Sequence, residues 1–207
     1  MYNIIPAHEK HLTQIVPLLA STGYWEAGLR NNLCNLEPLE FMREYIAKPN
    51  LPFTHIIVHT QDEDIVLGVI VCASKKDISA LPDFGEYVDQ RIMKLFENFY
   101  KFEMNESYHI SYLAISKQHR RKGLGKKLME FAEQKRKAEG YDTLSLYTFS
   151  CATSAVKLYL SMGMMITNVI HQSDELPLPI TLYFEKNEKI SAAQDYFETE
   201  DYERLRL

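Results

Sequence analysis

Apolar residues recur along this chain with two periods, and the switches between them divide it into strands and helices. The pattern over residues 1–7 predicts a first strand, and Leu12, Ile15, Val16 and Leu19 predict a helix over 8–19. Ser21-Thr22-Gly23 breaks that helix, and Tyr24-Trp25-Glu26 forms an aromatic turn. Residues 39–47 then resume the helical period before Lys48-Pro49-Asn50 and Pro52 stop it. Residues 53–60 and 65–73 are strand-like and flank the polar turn Gln61-Asp62-Glu63-Asp64, which predicts a hairpin. Gly68 inside the second strand points to a bulge or a close backbone approach. Val88, Ile92, Leu95, Phe96 and Phe99 predict an amphipathic helix over 83–103, which interrupts the run of strands.

Residues 108–115 read as a strand and 116–125 as a basic, glycine-containing turn. A helix to about residue 139 follows, with Gly140 as its stop and Leu128, Phe131 and Ala132 on its buried face. A strand over 143–149, a helix over 153–162 ended by Gly163, and strands over 164–170 and 180–184 complete the order, with a proline-containing loop over 173–179. The acids Glu185, Glu188, Asp195, Glu198, Glu200, Asp201 and Glu203 outnumber Lys186, Lys189, Arg204 and Arg206. An acidic helix or loosely held tail over 188–207 is expected to follow a folded domain over 1–187. With no internal repeat or low-complexity linker, the 207 residues read as one mixed α/β (α+β) domain.

Composition narrows the function classes. Hydrophobic residues at 46% and charged residues at 25% are those of a globular protein. No apolar stretch approaches the length of a membrane span, and the N-terminus lacks a basic region followed by an apolar run, which reads as cytoplasmic. The net charge of −5 disfavours general attraction to nucleic acid or an anionic membrane. Cys34, Cys72 and Cys151 are too few and too scattered for a disulfide framework, and no CxxC or nearby His pair forms a metal site. Free, mostly buried thiols are expected.

Against that background one segment stands out. Residues 117–137 carry nine Lys/Arg against Glu130 and Glu133, a local charge of +7 within an acidic chain. The run Gln118-His119-Arg120-Arg121-Lys122-Gly123-Leu124-Gly125 lies between a predicted strand and a predicted helix. Glycines there let the backbone approach a ligand, and a helix N-terminus offers unpaired N–H groups, so the run reads as a pyrophosphate cradle. A dinucleotide-binding loop needs a third glycine where Leu128 stands, and a Walker A sequence is absent.

What the run resembles is the acetyl-CoA signature of the GNAT N-acetyltransferases, met by Arg120-x-x-Gly123-x-Gly125 after the strand Tyr112-Leu113-Ala114-Ile115. A second family hallmark is similar to residues 155–164, a helix with Tyr159 four residues before Gly163 and then a strand. The order of elements from 1 to 184 resembles the family's too. The resemblance implies a mostly antiparallel sheet of about seven strands flanked by helices, here with an extra helix between the third and fourth strands. It implies acetyl-CoA as cosubstrate, no metal, and an amine-bearing small molecule or peptide as acceptor. Leu113, Ala114 and Ile115 would offer backbone to the pantetheine arm and the thioester carbonyl. Arg120, Arg121, Lys122, Gly123, Leu124, Gly125 and Lys126 would hold the phosphates. Where many members carry Asn seven residues before the helix tyrosine, this chain has Ala152.

The same resemblance assigns Tyr159 as the proton donor to the departing thiolate, with a core aromatic as the competing reading. His109 stands six residues before Ile115, where some members carry a catalytic Glu. An imidazole there is either the general base or a hydrogen-bonded structural histidine, with a carboxylate or water as the other routes for the proton. Tyr24, Trp25 and Glu26 are expected to shape the acceptor pocket, and acids over 83–103 to favour a cationic amine. A non-catalytic acyl-CoA-binding module is the alternative function, and both monomer and homodimer stay open.

Overall fold

The computed structural model describes residues 2–22, 56–61, 64–74, 107–170 and 179–188. The expected helices over 39–47 and 83–103, the aromatic turn at 24–26, the loop at 173–178 and the tail beyond 188 lie outside the described residues.

Strand β1 (Tyr2–Pro6) leads into a 3₁₀ turn, Glu9–His11, and helix α1 (Leu12–Ala20). The expected single helix from residue 8 is therefore two pieces. The reason is local: the His8 N–H donates to His11 Nδ1 at 3.0 Å while the His11 N–H donates to the His8 carbonyl at 2.8 Å, closing a tight turn before the α-helix begins. Strands β2 (Ile56–Gln61) and β3 (Ile65–Ser74) form the antiparallel hairpin. Then come β4 (Ser107–Ile115), α2 (Leu124–Ala138), β5 (Thr143–Phe149), α3 (Thr153–Ser161), β6 (Met165–Ile170) and β7 (Thr181–Asn187).

The strands lie in one mixed sheet in the order β1-β2-β3-β4-β5-β7-β6. Every neighbouring pair is antiparallel except β4 and β5. A parallel pair needs a crossover, and α2 supplies it. From Val66 to Ser74 β3 is buried throughout, as a strand covered on both faces must be, and both α1 and α2 pack against it. β7 runs to Asn187, beyond the expected end at 184, because Glu185, Lys186 and Asn187 stay paired with Ser145, Leu144 and Thr143 of β5.

The main core lies under α2, where Leu128, Met129 and Ala132 join Ile70, Cys72, Tyr108, Ile110, Leu144, Leu146 and Phe184. The expected helix face of Leu128, Phe131 and Ala132 is thus shifted: Met129 is sealed and Phe131 is only partly buried. These two residues stand on opposite borders of the stripe through Leu128 and Ala132, and the sequence pattern does not say which border is sealed. Gly68 meets both expectations placed on it. Leu67 beside it is the extra residue of a bulge against β2, and a Cβ on Gly68 would lie 2.5 Å from Ile115 Cδ1 and 3.1 Å from the Ala114 carbonyl oxygen. Among the described residues, no helix is long and apolar enough to cross a membrane.

Candidate functional site

β4 and β5 pair for only four residues each, Ser107–Ile110 against Thr143–Leu146. Beyond that point each strand keeps its outer neighbour and loses its inner one: β4 runs on to Ile115 beside β3, and β5 to Phe149 beside β7. Ser111 is the extra residue of a second bulge, which falls where the strands part. A bulge increases local twist and bends its strand, so it is the local feature that accompanies the separation. The result is a gap that begins inside the sheet. Its walls include Ile110, Leu113, Leu146 and Tyr159, together with Ser111, Tyr112, Tyr147 and Thr22. An inner strand without a partner presents backbone N–H and C=O groups along its edge, and Leu113, Ala114 and Ile115 lie on that stretch of β4.

The basic turn lies at the end of the same strand. A 3₁₀ turn, Lys117–His119, follows β4, and the Arg120 Nε–H donates back to the Ile115 carbonyl at 3.2 Å. Arg121 has φ 62° and Gly123 φ 79°. Left-handed residues spaced in this way turn successive N–H groups toward one side of the chain, a shape that suits anions. No side chain caps α2, and its first backbone bond runs from the Lys127 N–H to the Gly123 carbonyl. The N–H groups of Leu124, Gly125 and Lys126 therefore point out of the helix start. A Cβ on Gly123 would meet nothing within 4 Å, whereas one on Gly125 would press Leu158 of α3 at 3.1 Å. Gly123 thus faces open space, and Gly125 lets α2 approach α3. Arg121, Lys122, Lys126 and Lys127 are exposed around the turn.

Two titratable side chains sit near the gap in different settings. Tyr159 projects from α3 into the gap wall with its ring edge-on to Phe184, centroids 5.5 Å apart. Burial pushes its phenol well above the ordinary value. His109 lies just before the strands part, directly opposite Ser145. Alternation along β4 puts its ring on the face away from Tyr108 and Ile110. There its Nδ1 is 2.9 Å from Ser145 Oγ, and its ring is 5.5 Å from that of Tyr147. Burial pulls its pKa down to about 3.

The structure therefore brings Leu113, Ala114, Ile115, Tyr159 and the turn from Arg120 to Lys126 to one end of β4. His109 lies behind Tyr147 rather than in the lining, and Tyr24, Trp25 and Glu26 lie outside the described residues. Sequence reasoning missed Ser111, Tyr112, Tyr147 and Thr22. Alternation marks Tyr147 as a residue off the Leu144/Leu146 face, but which strand edge opens is set by pairing.

Residues 24–164 match the sequence model of the Acetyltransferase (GNAT) family. The chain belongs to this family. GNAT members use acetyl-CoA as acyl donor. A search of curated proteins finds no match. Solved structures share the GNAT fold at low identity. An N-acetyltransferase from Staphylococcus aureus Mu50 has a TM-score of 0.67 at 17% identity, the match covering 89% of this chain and 100% of that one. An agmatine N-acetyltransferase, a mutant in its apo form, has a TM-score of 0.61 at 18% identity, covering 90% and 100%. The NatC complex bound to Gag peptide and CoA has a TM-score of 0.58 at 17% identity, covering 90% and 98%.

Proposed function

We propose that this GNAT chain transfers the acetyl group of acetyl-CoA to a primary amine of a small molecule or peptide by direct attack on the thioester, with residues 1–187 as the catalytic domain and 188–207 as an acidic extension. The observation that supports this reading best is the gap between β4 and β5, where an open strand edge, a cradle of helix-start N–H groups and a buried phenol come together. The backbone of Leu113, Ala114 and Ile115 would pair with the pantetheine arm as an added strand, so affinity comes from main chain rather than side chains. The N–H groups of Leu124, Gly125 and Lys126 would hold the pyrophosphate, with charge from Arg120, Arg121, Lys122 and Lys126 around it. A backbone N–H near Leu113 or Ala114 would stabilise the oxyanion.

Tyr159 supplies the proton that the departing thiolate needs. A phenol is ordinarily a weaker acid than a thiol, but both charges would form in the same buried place, and desolvation raises the basicity of the thiolate as well. The proton that leaves the amine passes to water or a carboxylate. His109, with a pKa pulled down to about 3 by burial and its ring held by Ser145 outside the gap lining, fits the structural alternative better than the base. Tyr24, Trp25 and Glu26 complete the acceptor side in this reading, and the acids over 83–103 favour a cationic amine.

The test is thiol release from acetyl-CoA over a panel of polyamines, amino acids, aminoglycosides and peptides with free N-termini. Amine-dependent release with a matching acetylated product is expected. Tight CoA binding with no turnover on any amine would overturn the enzymatic reading and leave a binding module.

A further inference from the structure

The gap between β4 and β5 is closed at its inner end by the sheet itself. The last rung of the parallel ladder sets Ile110 opposite Leu146, and both side chains line the gap while belonging to the core under α2. At 3% and 1% exposed, they form a filled floor. Strict alternation along β4 would turn Leu113 to the face away from Ile110. The extra residue at Ser111 resets the phase, and Leu113 packs against the same core cluster as Ile110, Leu146 and Tyr159. The inner end of the gap thus has an apolar side that carries one phenol. The space between all its walls is about 70 Å³, roughly half that of an apolar cavity that takes up benzene.

We infer that Ile110 and Leu146 set the length of the acyl group that the site accepts: an acetyl group fits in front of them, and each further methylene meets the closed ladder. This rests on the acetyltransferase reading above. In that reading the phosphates lie at the start of α2 and the pantetheine arm lies along β4 from Ile115 to Leu113. The thioester is then the leading end of the arm, and its acyl chain points at the rung of Ile110 and Leu146. A floor made of side chains alone can yield by a change of rotamer. This floor is backed by backbone pairing on every side, because Ile110 is also paired with Cys72 of β3 and Leu146 with Phe184 of β7. Room for a longer chain would require strands to part inside a close-packed core.

The test compares kcat/KM for acetyl-, propionyl- and butyryl-CoA on one amine, together with calorimetric affinities for S-ethyl-CoA and S-butyl-CoA, two thioethers that need no acceptor. The wild type is expected to favour acetyl over butyryl by about tenfold or more, and S-ethyl-CoA over S-butyl-CoA in the same sense. Leu146→Ala opens the floor and should bring the two lengths within about threefold of each other in both measurements. Leu144→Ala removes the same atoms from the same face of β5, but Leu144 is paired with Tyr108 inside the ladder and is absent from the gap lining. It should keep the wild-type ratio. A wild type that takes butyryl as readily as acetyl, a ratio unmoved in Leu146→Ala, or an equal shift in Leu144→Ala overturns the inference. If Leu146→Ala does not fold, Leu146→Val and Ile110→Val replace it. Each should raise the ratio of propionyl to acetyl rates severalfold, and an unchanged ratio in both counts against the inference. The thioether affinities are read without turnover, so a chain that acylates no amine would sink the function while the length limit is decided separately.

Discussion

Among single residues, burial shifts the two titratable groups near the gap in opposite directions. Because burial raises the Tyr159 pKa, the phenol stays protonated across the range in which acyl transfer is assayed and imposes no alkaline limb of its own. Tyr159→Phe keeps the ring against Phe184 and removes only the donor, so kcat should fall by about 10²-fold while calorimetry shows CoA affinity within about twofold. Equal kcat would reduce Tyr159 to packing. His109 is the converse case, with a folded pKa depressed to about 3 from the ordinary value of 6.5. A depressed pKa means that the unfolded chain binds the extra proton first. The stabilisation is whole above about pH 6.5 and is lost as pH falls toward 3. Between pH 7 and pH 5 the wild type should lose about 2 kcal/mol more than His109→Gln, whose side chain does not titrate. Urea unfolding at both pH values checks this, and parallel losses in the two proteins would show that His109 is not buried in its neutral form.

The turn between β4 and α2 shows what a single element owes to strain. Arg121 holds a left-handed conformation with φ 62°, a region that costs an L-residue about 1 kcal/mol. Arg121→Gly should therefore raise unfolding free energy by about 1 kcal/mol, yet weaken CoA binding by removing a charge beside the phosphates. Opposite signs in thermal unfolding and calorimetry are the expected outcome, and unchanged affinity would take Arg121 out of the cradle. Elements of this kind differ in how far the sequence reveals them. β5 was legible to its last residue, because Leu144 and Leu146 alternate with polar positions between two turns. The turn into α2 was legible because glycine and arginine spacing is a local property. The Ser111 bulge was not, since an extra residue exists only relative to a partner strand, and no pattern within 108–115 names that partner. Nor was the 3₁₀ turn before α1, which depends on one imidazole accepting from a backbone N–H. Tyr159 and His109 were both legible as positions, but the contrast between them comes from burial and pairing across β5.

In the molecule as a whole, the sheet consists of two wings, β1 to β4 and β5 to β7, whose shared ladder is the short parallel stretch at Ser107–Ile110. A ligand lying in the gap would bond to the free edge of one wing and to the start of α2, the helix that connects the wings. Ligand binding stabilises every amide that exchanges only through global unfolding, by about 2.7 kcal/mol at a hundredfold excess over Kd. Edge amides in the gap are different, because in the absence of a partner strand they need no unfolding to exchange. CoA should therefore convert alternate amides within 111–115, and those of Leu124, Gly125 and Lys126, from fast to slow exchange. Amides of β1 and β2 should gain only the global increment. Hydrogen exchange read residue by residue with and without saturating CoA separates the two patterns. If calorimetry shows binding while the 111–115 amides exchange alike in both states, CoA lies elsewhere on the molecule. The gap would then lose its assignment as the donor site, although membership of the GNAT family, which rests on residues 24–164, would be untouched.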